Sequence, residues 1–361
     1  MKTIILAGGG HTHLSILKQL TKSNNNDTKW IMVSSDDYQY YSGMFSGYIE
    51  GLYSLEDIRI HLPSLAAKAN CEFHQGSVDS IDPSQKIISV NGQRFSYDYL
   101  SLDIGSHTTN PAIPGLNKEL TRLKPAHTFP DHITDLHVSR QTAVIGGGAA
   151  ACEMALSLAA WKRKHQRKYD QISLIYSGAL LQKHGSKAQK TMHRLMKENS
   201  IKLYEGERAK KIVSKKIVTA NRTVIPFDQL LYLGGAYPPE ILRKSGLPVD
   251  EKGFLEVNGM LQSPDFPSIF GAGDCITMTT HPEMEKNGVH AVKQGEVLWH
   301  NLNAAVTKEP LRDYHPQKNS LAILSTGSQK GLLLWGKTSL YGSLPWQLKN
   351  YIDRNFMKKY Q

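Results

Sequence analysis

The chain has 361 residues, of which 40% are hydrophobic and 21% charged, with 29 glycines and 16 prolines. That is enough for two or three domains with packed cores, and it excludes a peptide hormone, a disulfide miniprotein, a disordered tail and a collagen-like or low-complexity chain. Lys plus Arg exceed Asp plus Glu by 43 to 32, a net +11, which favours an anionic partner such as nucleic acid, acidic lipid or a phosphate-bearing ligand without choosing among them.

Three cysteines, Cys71, Cys152 and Cys275, are odd in number and widely spaced. No disulfide framework, Cys-x-x-Cys pair or zinc ribbon is therefore expected, and a reducing compartment fits. The apolar run Ile4 to Ala7 is too short for a signal-peptide core, and no apolar stretch reaches the roughly 18 residues that span a bilayer. The expectation is a cytoplasmic protein that touches a membrane, if at all, from one side.

Taken in chain order, Thr3 to Ala7 is a short β-rich run, followed by Gly8-Gly9-Gly10-His11-Thr12-His13 and then Leu14, Leu17 and Leu20 at helical spacing. This reads as strand, tight turn and helix, in which glycines let the backbone approach a pyrophosphate and the helix N-terminus stabilises its charge. The third glycine of the Gly-x-Gly-x-x-Gly pattern is His13 here. The pattern recurs at Thr142 to Ile145, Gly146-Gly147-Gly148-Ala149-Ala150-Ala151, and a helix carrying Met154, Leu156 and Leu158. Gly76 and Gly206, Asp98 and Asp228, and Gly105 and Gly235 are each 130 residues apart, so one nucleotide-binding unit is duplicated. Between these landmarks, alternating residues and turn signals such as Asp82-Pro83 and Asn91-Gly92 predict a small antiparallel meander in each copy. Later come an apolar strand ending in the turn Gly271-Ala272-Gly273-Asp274 and a long helix from about Gly288 to Val306. The last segment interleaves Trp346, Leu348, Tyr351, Ile352, Phe356 and Met357 with Lys349, Arg354, Lys358 and Lys359 against Asp353. Either an amphipathic membrane-surface helix or a helix docked on the first domain has this pattern.

These residues together resemble the two-dinucleotide-domain flavoproteins of the pyridine nucleotide-disulfide oxidoreductase superfamily, which includes type II NADH dehydrogenases. Within it, Gly-Gly-Gly-His-Thr-His, Tyr41-Ser42-Gly43-Met44, Leu102-Asp103-Ile104-Gly105-Ser106 and Val292-Lys293-Gln294-Gly295 are most similar to the flavoprotein found fused to selenide, water dikinase. The kinase half is absent from this chain, so its phosphoryl chemistry is not carried over.

The resemblance implies an α/β fold of two Rossmann-like domains, one inserted in the other: a discontinuous FAD domain over 1–112 and 248–312, an NAD(P) domain over 113–247, and a C-terminal interface or membrane-facing segment over 313–361. It implies that Gly8, Gly9, Gly10, His11 and His13 meet the FAD phosphates. Ser34 and Ser35 then lie at the ribose, where the fingerprint expects an acid, and Val78 lies beside the adenine. Ser42, Gly43 and Met44 approach the isoalloxazine, Gly105 and Ser106 belong to the same site, and Gly273 and Asp274 take the ribityl and phosphate side. In the second copy Gly146, Gly148, Ala149, Ala150, Gly235 and Ala236 hold the nicotinamide nucleotide, and Tyr176 replaces the acid that selects NADH. Lys293 and Gln294 lie near the flavin pyrimidine edge, and Glu153 faces both flavin and nicotinamide. The bland reading of Glu153 is a helix N-terminal acid stabilised by the dipole.

The implied activity is transfer of electrons from NAD(P)H through FAD to a quinone or similar small acceptor, with Glu153, Lys293 and Gln294 as catalytic groups. The lack of paired cysteines argues against disulfide reduction. The alternatives are a sulfide- or selenide-oxidising flavoprotein and a flavin-bearing redox sensor. No metal is expected at His11 and His13, which lack a third ligand nearby. The basic run Lys162 to Lys168 reads as a solvated helix end, so nucleic acid is not an expected partner, while an acidic membrane surface is left open beside a helix docked on the first domain. The sequence leaves a monomer and a homodimer both open.

Overall fold

The structure is a computed structural model and describes residues 1–23, 27–108, 112–121, 126–317 and 320–361. Two five-stranded parallel sheets organise it. The first runs in the order Ile269–Gly271, Tyr99–Leu102, Lys2–Ala7, Thr28–Ser34 and Glu72–Gln75, and the second in the order Leu120–Thr121, Gln229–Tyr232, Gln141–Ile145, Gln171–Tyr176 and Lys202–Glu205. Strands rich in Ile, Leu and Val that are buried on both faces suit such a sheet; Ile4, Ile5 and Leu6 are fully buried, as are Val144 and Leu174. Each glycine loop leaves the carboxyl end of a central strand whose neighbours lie on opposite sides in chain order. Ligands dock in α/β sheets in the crevice at such a point.

The duplication extends to single hydrogen bonds. In the first copy Asp98 accepts from the Thr3 amide with its carboxylate at 2.8 Å and donates its own amide to the Thr3 carbonyl. In the second, Asp228 does both with Gln141. Each copy also carries a three-stranded antiparallel meander, over Val78–Asp82, Ile87–Val90 and Gln93–Ser96 and over Ala209–Val213, Lys216–Thr219 and Val224–Pro226.

The first loop leads into the helix His11–Leu20, which packs on the helix Gly288–Thr307. Thr12 Oγ1 donates to the Ala291 carbonyl at 2.8 Å, and a Cβ at Gly295 would meet Ser15, so a small residue sets the close approach. Asn287 caps the later helix by accepting from the amides of Val289 and His290. The helix Ala149–Lys164 lies between the short helix Phe45–Glu50 and a three-stranded sheet of Ala322–Ser325, Gly331–Trp335 and Thr338–Gly342, and the C-terminal helix Ser343–Lys358 covers that sheet.

The basic run behaves differently from its sequence reading at one position. Lys162 is buried on its helix, and its ammonium donates to Asp170 at 2.9 Å and to the Ser139 carbonyl. The remainder of the run marks the end of the helix and is exposed or half-buried.

Candidate functional site

At the first loop Gly8 has φ +101°, and a Cβ there would strike the backbone of Asp103, so glycine is required. Gly9 backs onto Leu62 and Ser34, and a Cβ on Gly10 would overlap the Asp103 carboxylate. Ser34 is buried at the end of the second strand, while Ser35 beyond it is exposed. Val78 opens the first meander, half-buried. His11 is half-buried, its ring against Tyr41 and stacked on Phe356 of the C-terminal helix at 5.5 Å.

The imidazole of His13 is engaged within the protein, so any phosphate contact at this residue falls to its backbone amide. Its side chain is fully buried: Nδ1 donates to the Gly8 carbonyl at 2.6 Å, which leaves Nε2 to accept from the Ser101 hydroxyl at 2.8 Å. Burial pushes its pKa down to about 4, so a neutral imidazole braces the loop from behind, in the place of the third glycine.

Gln294 is fully buried: it accepts from the Gly273 amide with Oε1 at 2.8 Å and so positions the Gly-Asp turn from within the helix Gly288–Thr307, while its Nε2 has no hydrogen-bond partner among the described residues. Its neighbour Lys293 is exposed. Asp274 sits on that turn, where the Ser106 hydroxyl donates to its Oδ2 at 3.3 Å. Gly105 has φ +69° with open space where a Cβ would stand.

Ser42, Gly43 and Met44 form a single 3-10 turn before the helix Phe45–Glu50. Ser42 is exposed, whereas Met44 is 1% exposed and packs into the core. Beside this turn lies a buried polar cluster. Glu153, its side chain 14% exposed, accepts from the Ser46 hydroxyl at 2.9 Å and from the Ser325 amide at 2.8 Å. Lys349 from the C-terminal helix stands 3.9 Å from Glu153, donates to Asp353 at 2.8 Å, and donates to the Gly43 carbonyl at 2.6 Å. Tyr41 completes it by donating to Asp353 at 3.1 Å, its ring stacked on Phe356.

Burial raises Glu153 above the usual carboxylate range against the pull of Lys349, and it raises Asp353 likewise. Burial acts to lower Lys349, but Glu153 and Asp353 outweigh it and hold the ammonium above its ordinary value. Burial thus favours the neutral form of both carboxyls more than water does, beside a lysine whose ammonium their charges stabilise.

The second loop opens on a cavity of about 950 Å³ lined by Gly146, Gly148, Ala149, Tyr176 and Gly235 together with Lys183 and Arg208. Gly148 and Gly235 face open space where a Cβ would stand, Ala150 is exposed at the helix start, and Ala236 is half-buried. Tyr176 is 4% exposed.

Cys71, Cys152 and Cys275 are all free and buried, and burial pushes each thiol up to about 12. Among the described residues, no His, Cys, Asp and Glu side chains group as a metal site.

The sequence reading missed four residues at these sites. Asp103 was visible as part of a motif without a role, and Tyr41, Lys349 and Asp353 come together only through the docking of the last helix.

The sequence profile of the pyridine nucleotide-disulphide oxidoreductases matches residues 2–295. The chain is similar to the mitochondrial sulfide:quinone oxidoreductase of Schizosaccharomyces pombe, 26% identical over 91% of this chain and 79% of that protein. It is also similar to ferroptosis suppressor protein 1 of Taeniopygia guttata, 25% identical over 72% and 70% respectively. Among solved structures, NDH2 of Plasmodium falciparum, crystallised with NADH, superposes with a TM-score of 0.84 at 15% identity over 99% of this chain and 96% of that one. The sulfide:quinone oxidoreductase of Aquifex aeolicus superposes with a TM-score of 0.82 at 20% identity over 100% and 91%.

Proposed function

Because the chain belongs to the pyridine nucleotide-disulphide oxidoreductase family, we propose that it passes electrons from NAD(P)H through FAD to a quinone or similar small acceptor, without a redox-active disulfide. Membership makes it an NAD(P)H-dependent flavoprotein oxidoreductase. The residues present fit the two dinucleotides: Gly105 beside the first loop, and Gly148 and Gly235 at the second, present bare backbone to open space at the carboxyl ends of the parallel strands. When bound, FAD supplies a hydride acceptor and a two-electron donor.

The observation that carries the reading is the Glu153, Lys349, Asp353 and Tyr41 cluster beside Gly43. Reduction of a quinone consumes protons as well as electrons, and this cluster holds protons in a closed interior next to the turn assigned to the isoalloxazine. Lys349 carries a fixed positive charge there, which stabilises negative charge developing on a bound carbonyl acceptor. Glu153 is placed to hold and release a proton, and the Tyr41 hydroxyl keeps Asp353 oriented toward Lys349. In this reading Gly8 to Gly10, His11, Ser34, Ser35, Val78, Gly105, Ser106, Gly273 and Asp274 surround FAD, while His13 and Gln294 hold the loop and the turn in shape.

The two sheets support the division into a FAD domain over 1–112 and 248–312, an inserted NAD(P) domain over 113–247 and a C-terminal segment over 313–361, since residues 269–271 join the first sheet after the second is complete. The C-terminal helix exposes Leu344, Leu348, Tyr351 and Ile352 beside Arg354, Lys358 and Lys359, and we assign this face to a peripheral contact with an acidic membrane. Among the described residues no helix is long and apolar enough to cross a membrane. The link to the flavoprotein fused to selenide, water dikinase rests on the four quoted segments alone. Sulfide or selenide oxidation through a cysteine is disfavoured because all three thiols are buried and held protonated.

The test is an anaerobic titration of the purified protein with NADH and then NADPH, followed by visible flavin absorbance and a screen of quinones. Bleaching by one nucleotide and reoxidation by a quinone is the expected result, and it also decides the preference that Tyr176 leaves open. A yellow protein that neither nucleotide bleaches would overturn the reading.

A further inference from the structure

The two copies differ at one structurally equivalent position. Asp103 follows the strand Tyr99–Leu102 and donates its amide to the Ala7 carbonyl at 2.9 Å. Leu233 follows the strand Gln229–Tyr232 and donates its amide to the Ile145 carbonyl at 2.8 Å. Each backbone closes on the first glycine of its loop, Gly8 in one case and Gly146 in the other. The fold therefore accepts an apolar residue at this place, and in the first copy it carries a carboxylate instead.

That carboxylate caps the helix that the first loop opens. Asp103 is 4% exposed, and its Oδ2 accepts from the amides of Thr12 at 2.9 Å and His13 at 3.2 Å, in the first turn of the helix His11–Leu20. It is wedged between Gly10 and Gly273, and a Cβ on either glycine would overlap it. No side chain caps this helix from Gly10, so its first amides are available to one anion, and Asp103 has taken two of them.

We propose that Asp103 competes with the FAD pyrophosphate for the amides at the head of the first-loop helix, so that flavin binding to this chain takes up a proton at Asp103. The inference rests on the reading of the first loop as the FAD site. Asp274 and Cys275 from the Gly-Asp turn interact with Asp103 through charge, while His13 meets it through its backbone amide, its neutral ring being bonded to Gly8 and Ser101. Lys286 in turn acts on both Asp274 and Cys275. Burial first, and then the charge of Asp274, push Asp103 up to about 7 against the amides that favour its anion. A proton bound there cancels one negative charge just as the doubly negative pyrophosphate arrives.

The experiment removes flavin from the full chain and titrates the apoprotein with FAD at pH 6.5, 7.5 and 8.5, counting protons by calorimetry in two buffers of different ionisation heat. For a group titrating near 7, affinity is expected to weaken by on the order of tenfold between the first and last pH, with uptake approaching one proton at the alkaline end. D103N, and D103L, which copies Leu233, are expected to bind FAD with an affinity that no longer varies with pH. An affinity for the unaltered chain that does not change with pH, with no proton taken up, overturns the proposal, as does the same pH slope in D103N. If neither variant folds, the proton count on the unaltered chain still decides. Absence of FAD binding at every pH would instead sink the cofactor assignment itself, and this inference with it.

Discussion

Lys349 and Glu153 meet in the interior with Nζ and Oε1 3.9 Å apart, one from the last helix of the chain and the other from the helix that opens the second nucleotide unit. The pair joins the proposed nicotinamide domain to the C-terminal segment through charge, and its removal tests both chemistry and stability.

Glu153→Gln keeps an oxygen for the Ser325 amide and the Ser46 hydroxyl but cannot exchange a proton. Turnover with NAD(P)H and quinone is expected to fall by about a hundredfold or more, with FAD content unchanged. Because burial holds the pKa of Glu153 above the usual carboxylate range, its protonated form persists to higher pH than usual. Activity that draws on that form declines as pH rises through the raised value. The pH-rate profile should show this alkaline limb in the unaltered protein and lose it in the variant, and unchanged turnover would refute the assignment.

Lys349→Met leaves the Glu153 and Asp353 carboxyls facing each other without their cation. Breaking a buried charged set in this way costs about 3–5 kcal/mol. Urea unfolding should show that loss, and a double variant with Asp353→Asn should recover part of it. Equal stability of the single variant and the parent would mean that Lys349 reaches solvent and contributes little.

His13 and Asp103 act on stability with opposite signs. Folding depresses His13 to about 4 from 6.5, so the unfolded chain binds a proton that the native chain refuses, and stability falls as pH drops from 6.5 to 4. Folding raises Asp103 from 3.8 to about 7, so its contribution is full below 3.8 and is lost as pH rises to 7. In the flavin-free protein the two slopes oppose each other. D103N should expose the His13 slope as a steeper loss between pH 6.5 and 4, of about 3 kcal/mol at most, measurable by denaturant titration at fixed pH values. Parallel pH curves for D103N and the parent would contradict it.

Leu344 and Tyr351 are 71% and 67% exposed on the outer face of the last helix. Replacing both with Glu removes apolar area and adds negative charge, so sedimentation with vesicles containing acidic lipid should be abolished while the melting temperature is unchanged. Undiminished sedimentation would place membrane contact elsewhere, and no sedimentation of the parent would remove it from the account.

The duplicated core was legible because it rests on local signals: glycine loops after apolar strands, and landmarks at a constant spacing of 130 residues that match in Asp98 and Asp228 down to the hydrogen bond. The sheet Ala322–Gly342 was not. Its strands have four or five residues each, joined by short turns that contain Gly327 and Gly336, and their apolar faces become intelligible only once the helix Ala149–Lys164 lies against them. Lys349 and Asp353 belonged to a charge pattern that fits a membrane-surface helix and a docked helix equally. A charge count along a helix says nothing about which face a distant segment will cover, and here Gly43, Glu153 and Tyr41 cover the face that carries this pair. His13 and Gln294 sit in ligand motifs, and the sequence could not show that both side chains also hold backbone, His13 at Gly8 and Gln294 at Gly273.

The helix Ala149–Lys164 is gripped on both flanks. Ser46 holds Glu153 from the first unit, the Ser325 amide holds it from the C-terminal sheet, and Gly327 lies so close to Ala160 that a Cβ there would stand 2.6 Å from the alanine methyl. The last forty residues thus act as a buckle, holding from one side the same helix that the first unit holds from the other.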